Sequence, residues 1–328
     1  MAKKVGWFDA TEFEKEFIKD NSPDLDITFF EEPLNEDTAE KAEEFDAVTI
    51  FIDSKVSSNV LEKIDVDGVA CRSTGFDHVD LDYASENGVT VYNVPDYSSN
   101  TVAEHTFALL LAVSRKIFEA INKVREEGEF DHSGLRGFDL KGKTLGVIGT
   151  GAIGKHAIRM ANGFQMHVVA YDPFPDHDAA NDLGFEYVGM DELLERSDIV
   201  SLHCPFNEHT KHIISEEEIS KMDETVIINT SRGGLVETDA LLEGLDNGSV
   251  LAAGLDVLEG EGYLSDDIHY LGKVDNQDDL KILLKDHMLM KRDDVVITPH
   301  NAFNSEEALE RLVRTTLDNL LEGSNPVN

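Results

Sequence analysis

Cysteine is nearly missing from this chain: Cys71 and Cys204 are the only two among 328 residues. Each sits inside or beside an apolar run, so two buried free thiols are expected rather than a disulfide. Long apolar runs are missing as well. The longest, Phe107 to Val113, falls far short of the roughly 20 apolar residues that a membrane-spanning helix needs. No secretory signal opens the chain, since Met1 to Phe8 reads as a short first strand. The expected location is therefore the cytoplasm. Neither an internal repeat of solenoid period nor a low-complexity segment occurs.

Positive charge is the scarcest commodity. Lys and Arg number 28 against 66 Asp and Glu, a net charge of −38. The acidic excess is spread through Glu12–Asp20, Glu36–Asp46, Glu216–Glu224 and Asp275–Asp279 rather than gathered in a tail. Such a surface repels nucleic acid and anionic membranes, so neither is expected as a partner. It also repels itself at low ionic strength and is relieved by screening, which points to adaptation to high intracellular salt. The core is not thinned to match: 41% of residues are hydrophobic, ordinary for a globular chain once glycine is added. The length suits two domains.

Short apolar runs alternate with helical patterns throughout. Lys4–Phe8, Ala47–Ile52, Gly68–Cys71 and Thr90–Asn93 read as strands, with helices at Glu12–Lys19, Thr38–Glu44, Ser58–Lys63 and Tyr83–Asn87. A long helix is expected from Val102 to Glu126. Six further strands follow: Thr144–Ile148, His167–Tyr171, Ile199–His203, Val226–Asn229, Leu251–Asp256 and Val295–Thr298. A final helix, Ser305–Leu321, carries Leu309, Leu312, Val313, Thr316, Leu317 and Leu320 on one stripe. This alternation implies an α/β fold of two doubly wound parallel-sheet domains. The first hundred residues look like a smaller flavodoxin-like unit, and the second set of strands suits a Rossmann domain.

The sharpest motif lies in the second set. The strand ending at Ile148 runs into Gly149-Thr150-Gly151-Ala152-Ile153-Gly154, then a helical stretch, then a strand that stops at Asp172. This is G-x-G-x-x-G in the strand–turn–helix–strand context that dinucleotide binding requires. Gly149 permits the tight turn, Gly151 lets the backbone approach a pyrophosphate at the helix N-terminus, and Gly154 lets helix and strand pack closely. Asp172 follows Gly154 by eighteen residues, near the usual ~20. A carboxylate there accepts a ribose 2′-hydroxyl and repels a 2′-phosphate. The next residues, Pro173-Phe174-Pro175, offer no cation, so NAD rather than NADP is expected.

In an open parallel sheet the ligand sits at the carboxyl ends of the strands. Three strands deliver polar groups there: Thr230, Ser231 and Arg232 after the first, Asp256 and Glu261 after the second, His300 after the third. These types suit the interconversion of an alcohol and a carbonyl. His300 can take and return a proton near neutrality. Glu261 can fix its tautomer, and Arg232 can grip a carboxylate in two places. No metal is called for.

Over nearly its full length the chain resembles the D-isomer-specific 2-hydroxyacid dehydrogenases. The matching segments are Gly146–Gly154, Asp198–Pro205, Ile228–Leu235, Gly254–Val257 and Ile297–Ala302. The resemblance places the family's catalytic trio on Arg232, Glu261 and His300, the same three residues. It implies NAD contacts at Ile153, Asp172, Cys204, Pro205, Thr210, Thr230 and Asp256, and a substrate loop at Ser73-Thr74-Gly75. Arg72–Phe76, Val94–Ser98, Tyr171–Pro175 and His300–Phe303 look most like the fermentative D-lactate dehydrogenase branch, in which Tyr97 helps to enclose the substrate and Phe303 bounds the pocket. The resemblance further implies a discontinuous substrate domain, 1–100 with 301–328, around an NAD-binding domain at 101–300. It implies a homodimer formed through the latter by the Val102–Glu126 helix. Gly262–Asp294 departs from the pattern: it is long, polar and acidic where many members have a short link.

The expected activity is reduction of a small 2-keto acid with NADH, pyruvate to D-lactate first. Hydroxypyruvate, glyoxylate, phenylpyruvate and branched-chain keto acids are the alternatives. A non-catalytic NAD sensor of the corepressor kind is the alternative outside enzymes; the complete catalytic set and the missing basic patch weigh against it.

Overall fold

The alternating runs build two parallel sheets in the computed structural model, which describes residues 2–21, 25–261 and 277–328. They belong to two units, Met1–Ser98 with Asn304–Asn328, and Ser99–Phe303.

The first unit contains β1 (Lys3–Trp7), α1 (Glu12–Asp20), β2 (Leu25–Phe29), β3 (Ala47–Ile50), α2 (Ser58–Leu61), β4 (Gly68–Cys71), α3 (Leu81–Glu86) and β5 (Thr90–Tyr92). Its strand order is β2-β1-β3-β4-β5, the flavodoxin-like order. β3 and β4 are buried at every residue, as apolar runs at the centre of a parallel sheet must be. β2 was not expected. It lies at the edge, where Leu25, Ile27 and Phe29 are half-buried and Asp26 and Thr28 exposed. α1 starts at a capping box: the Glu14 amide donates to Thr11 Oγ1 at 3.3 Å while the Thr11 amide donates to Glu14 Oε2 at 2.8 Å. The helix expected at Thr38–Glu44 is only a 3₁₀ turn, Ala39–Ala42.

The second unit opens with α4 (Ser99–Ser114) and α5 (Ile117–Arg125). These replace the single helix expected from Val102 to Glu126. Lys116 between them is left-handed, with φ 51°, and the Ser114 carbonyl accepts the Phe138 amide at 2.9 Å instead of a later amide of its own helix. There follow β6 (Thr144–Ile148), α6 (Ala152–Gly163), β7 (His167–Tyr171), α7 (His177–Leu183), β8 (Glu186–Tyr187), α8 (Met190–Arg196), β9 (Ile199–Leu202), α9 (Glu216–Ile219), β10 (Thr225–Asn229), α10 (Thr238–Asn247), β11 (Val250–Leu255), α11 (Gln277–Leu289) and β12 (Val295–Ile297). Strand order is β12-β11-β10-β9-β6-β7-β8. Counted from β6, this is the Rossmann order with one strand added beyond the sixth. β8, two residues long, was too short to be expected. Within Gly262–Asp294, residues 262–276 lie outside the described part, and α11 occupies Gln277–Leu289.

The chain then rejoins the first unit through α12 (Glu306–Glu322). Of the expected stripe, Leu312, Val313, Thr316, Leu317 and Leu320 are buried. Val313, Leu317 and Leu320 share a core with Val5 and Trp7 of β1.

Candidate active site

The second sheet reverses direction between β6 and β9, and the three glycines stand there. Gly149 follows β6 with φ 94°, and a Cβ on it would lie 2.7 Å from the backbone of His203 and Cys204 beyond β9. A Cβ on Gly154 would lie 2.1 Å from the Gly149 carbonyl oxygen. Both positions therefore exclude any side chain. Gly151 caps α6 and is different: a Cβ there meets nothing within 4 Å. The amides of the first turn of α6, at Ala152, Ile153 and Gly154, have no carbonyl partner within the helix, and the space beside Gly151 is open.

Asp172, one residue past β7, borders the same opening. Its Oδ2 accepts the Thr150 amide at 2.8 Å and the Thr150 hydroxyl at 2.9 Å, and its Oδ1 accepts the Phe174 amide at 2.9 Å. Burial works to raise the Asp172 pKa, but these donors outweigh it and hold the carboxyl below its usual range. Tyr187 of β8 completes the set: its hydroxyl lies 2.7 Å from Thr150 Oγ1 and accepts the Asp176 amide at 3.1 Å.

Farther along the rim, β10, β11 and β12 are neighbours and run parallel. After β10, the Asn229 side chain fixes a turn by accepting the Ser231 amide at 3.0 Å and donating to the Arg232 carbonyl at 2.9 Å. The Ser231 hydroxyl donates to the Leu202 carbonyl of β9 at 2.8 Å. Arg232 is half-buried, and its Nη1 donates to the Ser231 carbonyl at 2.8 Å. Gly233 then passes so close to the loop after β11 that a Cβ on it would lie 2.0 Å from the Leu258 carbonyl. Three residues beyond Leu258, Glu261 Oε1 lies 3.2 Å from Nδ1 of His300. The two side chains keep 38% and 30% of their exposure, so the pair is reachable from outside.

His300 is held in a strained backbone, φ 49°, by Asp256. The Asp256 carbonyl accepts the His300 amide at 2.8 Å, and its carboxylate accepts the amides of Asn301 and Ala302, each at 2.8 Å. Thr298 donates its hydroxyl to the same carboxylate and takes a hydrogen bond from His105 Nε2 of α4 at 2.9 Å. Burial pushes the Asp256 carboxyl up, and the donors of His105, Thr298, Asn301 and Ala302 bring it below its usual range.

Residues 107–302 match the family model of the D-isomer specific 2-hydroxyacid dehydrogenase NAD-binding domain. The chain belongs to that family. The dehydrogenase is 37% identical to D-lactate dehydrogenase of Escherichia coli over 97% of its own length and 95% of that protein's. It is similar in structure to the pyruvate reductase of Chlamydomonas reinhardtii (TM-score 0.87, 36% identity, 98% of this chain and 96% of that one). It is similar also to D-lactate dehydrogenase from Aquifex aeolicus complexed with NAD and lactic acid (TM-score 0.85, 32% identity, 98% of each chain).

The dehydrogenase is an NAD-dependent oxidoreductase, and the opening at the β6–β9 reversal fits that cofactor: two glycines exclude side chains, the third leaves room, and a fixed carboxylate stands beside them. The other expected contacts are placed variously. Cys204 follows β9 and is half-buried, not buried as the sequence suggested, because it borders the opening. Burial and then Asp172 push its thiol up to about 11, so it stays neutral. Thr210 folds the loop after Pro205, donating its hydroxyl to the Pro205 carbonyl at 2.6 Å. The Thr230 hydroxyl is buried 2.9 Å from Thr106 Oγ1 of α4. Asp256 directs its carboxylate to the His300 loop. Thr74, Gly75 and Tyr97 lie in the first unit, Phe303 in the second. Four residues that shape the site were not foreseen: Thr150, Tyr187, Asn229 and His105. Thr150 lay within the fingerprint and Asn229 directly before the chosen triplet; neither Tyr187 nor His105 carried a local signal.

Proposed function

We propose that this dehydrogenase reduces pyruvate to D-lactate, with Arg232, Glu261 and His300 as its catalytic residues. The observation that carries the reading is the Glu261–His300 pair, 3.2 Å apart, on the strand ends adjoining the one that delivers Arg232. Bound NADH supplies the hydride for C2 of the keto acid. Protonated His300 gives its proton to the carbonyl oxygen. Glu261 accepts Nδ1–H, which leaves Nε2 as the acid and stabilises the imidazolium. Arg232 grips the substrate carboxylate and polarises the carbonyl. Gly149, Gly151, Ala152, Ile153, Gly154 and Asp172 hold the dinucleotide in this reading, together with Cys204, Pro205, Thr210, Thr230, Ser231 and Asp256. The substrate roles of Thr74, Gly75, Tyr97 and Phe303, and the assignment of the first unit as the substrate domain, belong to the same proposal.

The proposal extends to a homodimer formed through the second unit. α5 supports it, leaving Ile117, Phe118, Ile121 and Val124 exposed at helical spacing. It extends also to the cytoplasm of a salt-rich cell, supported by the net charge of −38 and by two free thiols.

The test is NADH oxidation with pyruvate, phenylpyruvate, hydroxypyruvate, glyoxylate and 2-ketoisocaproate in roughly molar KCl and in dilute buffer. Pyruvate is expected to lead, and activity to fall without salt. Another acid in front replaces the substrate and keeps the chemistry. NADH binding with no turnover supports the sensor instead.

A further inference from the structure

Asp286 is a carboxylate that this chemistry leaves unused, and it is fully buried. It lies on α11, in the long acidic segment for which the sequence offered no role. The Gly260 amide donates to its Oδ2 at 3.0 Å, while its Oδ1 is buried with no hydrogen-bond partner among the described residues. Burying a carboxylate costs free energy unless its oxygens find donors, and among the described residues the Gly260 amide is the donor that Asp286 has. Gly260 is fitted to it: a Cβ there would lie 2.6 Å from Asp286 Oδ2 and 2.9 Å from Ile282 Cγ2. The next residue is Glu261.

The stretch Leu258–Glu261 is tied at other points as well. The Leu258 carbonyl lies over Gly233. The Glu259 carboxylate accepts the Thr238 hydroxyl at 2.7 Å and lies 2.7 Å from His212 Nε2. Glu261 Oε2 accepts the Leu258 amide at 3.3 Å. The Glu261 amide itself donates to the Leu258 carbonyl at 3.3 Å; of the ties that reach this stretch from other elements, the one from Asp286 to the Gly260 amide lies nearest to Glu261. We propose that Asp286 is a positioning residue for the Glu261–His300 pair: by anchoring the Gly260 amide it fixes the reach of Glu261 to the imidazole. This rests on the catalytic reading of that pair given above.

The electrostatics are consistent. Burial pushes the Asp286 carboxyl up to about 6, the Gly260 amide opposes, Glu259 raises it, His287 opposes and Glu261 raises it. On α11 itself, Lys285 pairs with Asp239 of α10 at 2.5 Å.

Asp286→Ala removes the acceptor. Asp286→Asn keeps one, since its amide carbonyl can take the Gly260 N–H. Gly260→Ala probes the same tie from the other side, because its Cβ displaces the Asp286 carboxylate. With pyruvate and NADH, the two alanine variants are expected to lower kcat about tenfold and leave NADH affinity within about twofold. They should also move the alkaline limb of kcat down by about half a pH unit, because a loosened Glu261 stabilises protonated His300 less. Asp286→Asn should restore both rate and limb.

A folded alanine variant with wild-type kcat and wild-type limb overturns the proposal, as does a loss of thermal stability with neither change. An asparagine variant as impaired as alanine also overturns it. Where Asp286→Ala does not fold, Gly260→Ala carries the test. His300→Ala run alongside separates the two readings. Full turnover in that variant removes the catalytic pair itself; its loss, with the Asp286 and Gly260 variants unaffected, removes only the positioning role.

Discussion

The two sheets of this chain each reverse direction once, between β1 and β3 in the first unit and between β6 and β9 in the second. Topology alone marks both reversals as ligand crevices. The first is filled from within. Asp9, with φ 54°, accepts the Phe51 amide at 3.0 Å and the Ser54 hydroxyl at 2.6 Å, stitching the ends of β1 and β3 together. Behind it Arg72 is fully buried. Its Nη2 donates to the carbonyls of Phe8 and Asp9 at 2.7 and 2.9 Å, and its guanidinium lies 4.8 Å from the Trp7 ring centre. Glu14 Oε1 lies 2.9 Å from Arg72 Nε, off the line of the N–H bond. The second crevice has glycine where the first has charge. The lesson is that a fold supplies the crevice and a few residues decide whether it is a site.

The comparison can be broken from either side. The largest expected effect comes from filling the open crevice. Gly149→Ala puts a Cβ into a left-handed position 2.7 Å from the backbone beyond β9. At about 2–3 kcal/mol of strain or more, NADH binding should weaken by about a hundredfold. Calorimetric titration with NADH checks it, and ordinary affinity would mean the crevice is not the cofactor site.

Glu14→Gln acts on the filled crevice, leaving Arg72 buried without its carboxylate. Stability should fall by about 3–5 kcal/mol, as for other buried pairs broken from one side. Denaturant titration checks that loss; in the folded variant NADH affinity, measured by calorimetric titration, should stay unchanged. A drop in affinity would show that the first crevice serves the cofactor after all.

His203 gives a pH dependence specific to the second crevice. Buried beyond β9, its imidazole is driven down to about 4 by that burial. Between pH 4 and its ordinary value of ~6.5 the unfolded chain binds the proton and the folded one does not, so this group makes stability fall as pH drops through that window. Asp286, raised to about 6, contributes a slope of opposite sign over part of it. The difference between wild type and His203→Gln therefore isolates the histidine. Unfolding at stepped pH should show the variant's stability flatter from pH 6.5 to 4; identical slopes would put His203 in contact with solvent.

The smallest effect is expected from Tyr187→Phe. It removes the hydrogen bond to Thr150 and the acceptor of the Asp176 amide, and leaves the Thr150 and Phe174 amides on Asp172. NADH affinity should fall about threefold to fivefold, equivalent to ~1 kcal/mol. No change would place Tyr187 outside the support of Asp172.

The residues that were legible in the sequence owe it to local causes. Gly149 and Gly154 are forced within one turn of chain, so their spacing could be read directly. Arg232, Glu261 and His300 could be placed on one rim from the sequence because strands announce where they end, and a rim follows from three ends. The supports of those residues were not readable, because they come from far away. Tyr187 reaches Thr150 across 37 residues and His105 reaches Thr298 across 193. β2 escaped notice although Leu25, Ile27 and Phe29 alternate, since an edge strand half-buried on one face and exposed on the other lacks an apolar run. The break at Lys116 was hidden for the opposite reason: apolar residues continue on both sides, and only the Phe138 amide, arriving from another loop, ends α4.

The most direct test of the account is the rate of NADH-dependent pyruvate reduction by wild type and by His300→Ala, with the handedness of the lactate determined. The account predicts D-lactate from the wild type and a loss of about 10²–10⁴ in kcat for the variant with NADH still bound. An undiminished rate in His300→Ala, or L-lactate from the wild type, would contradict it.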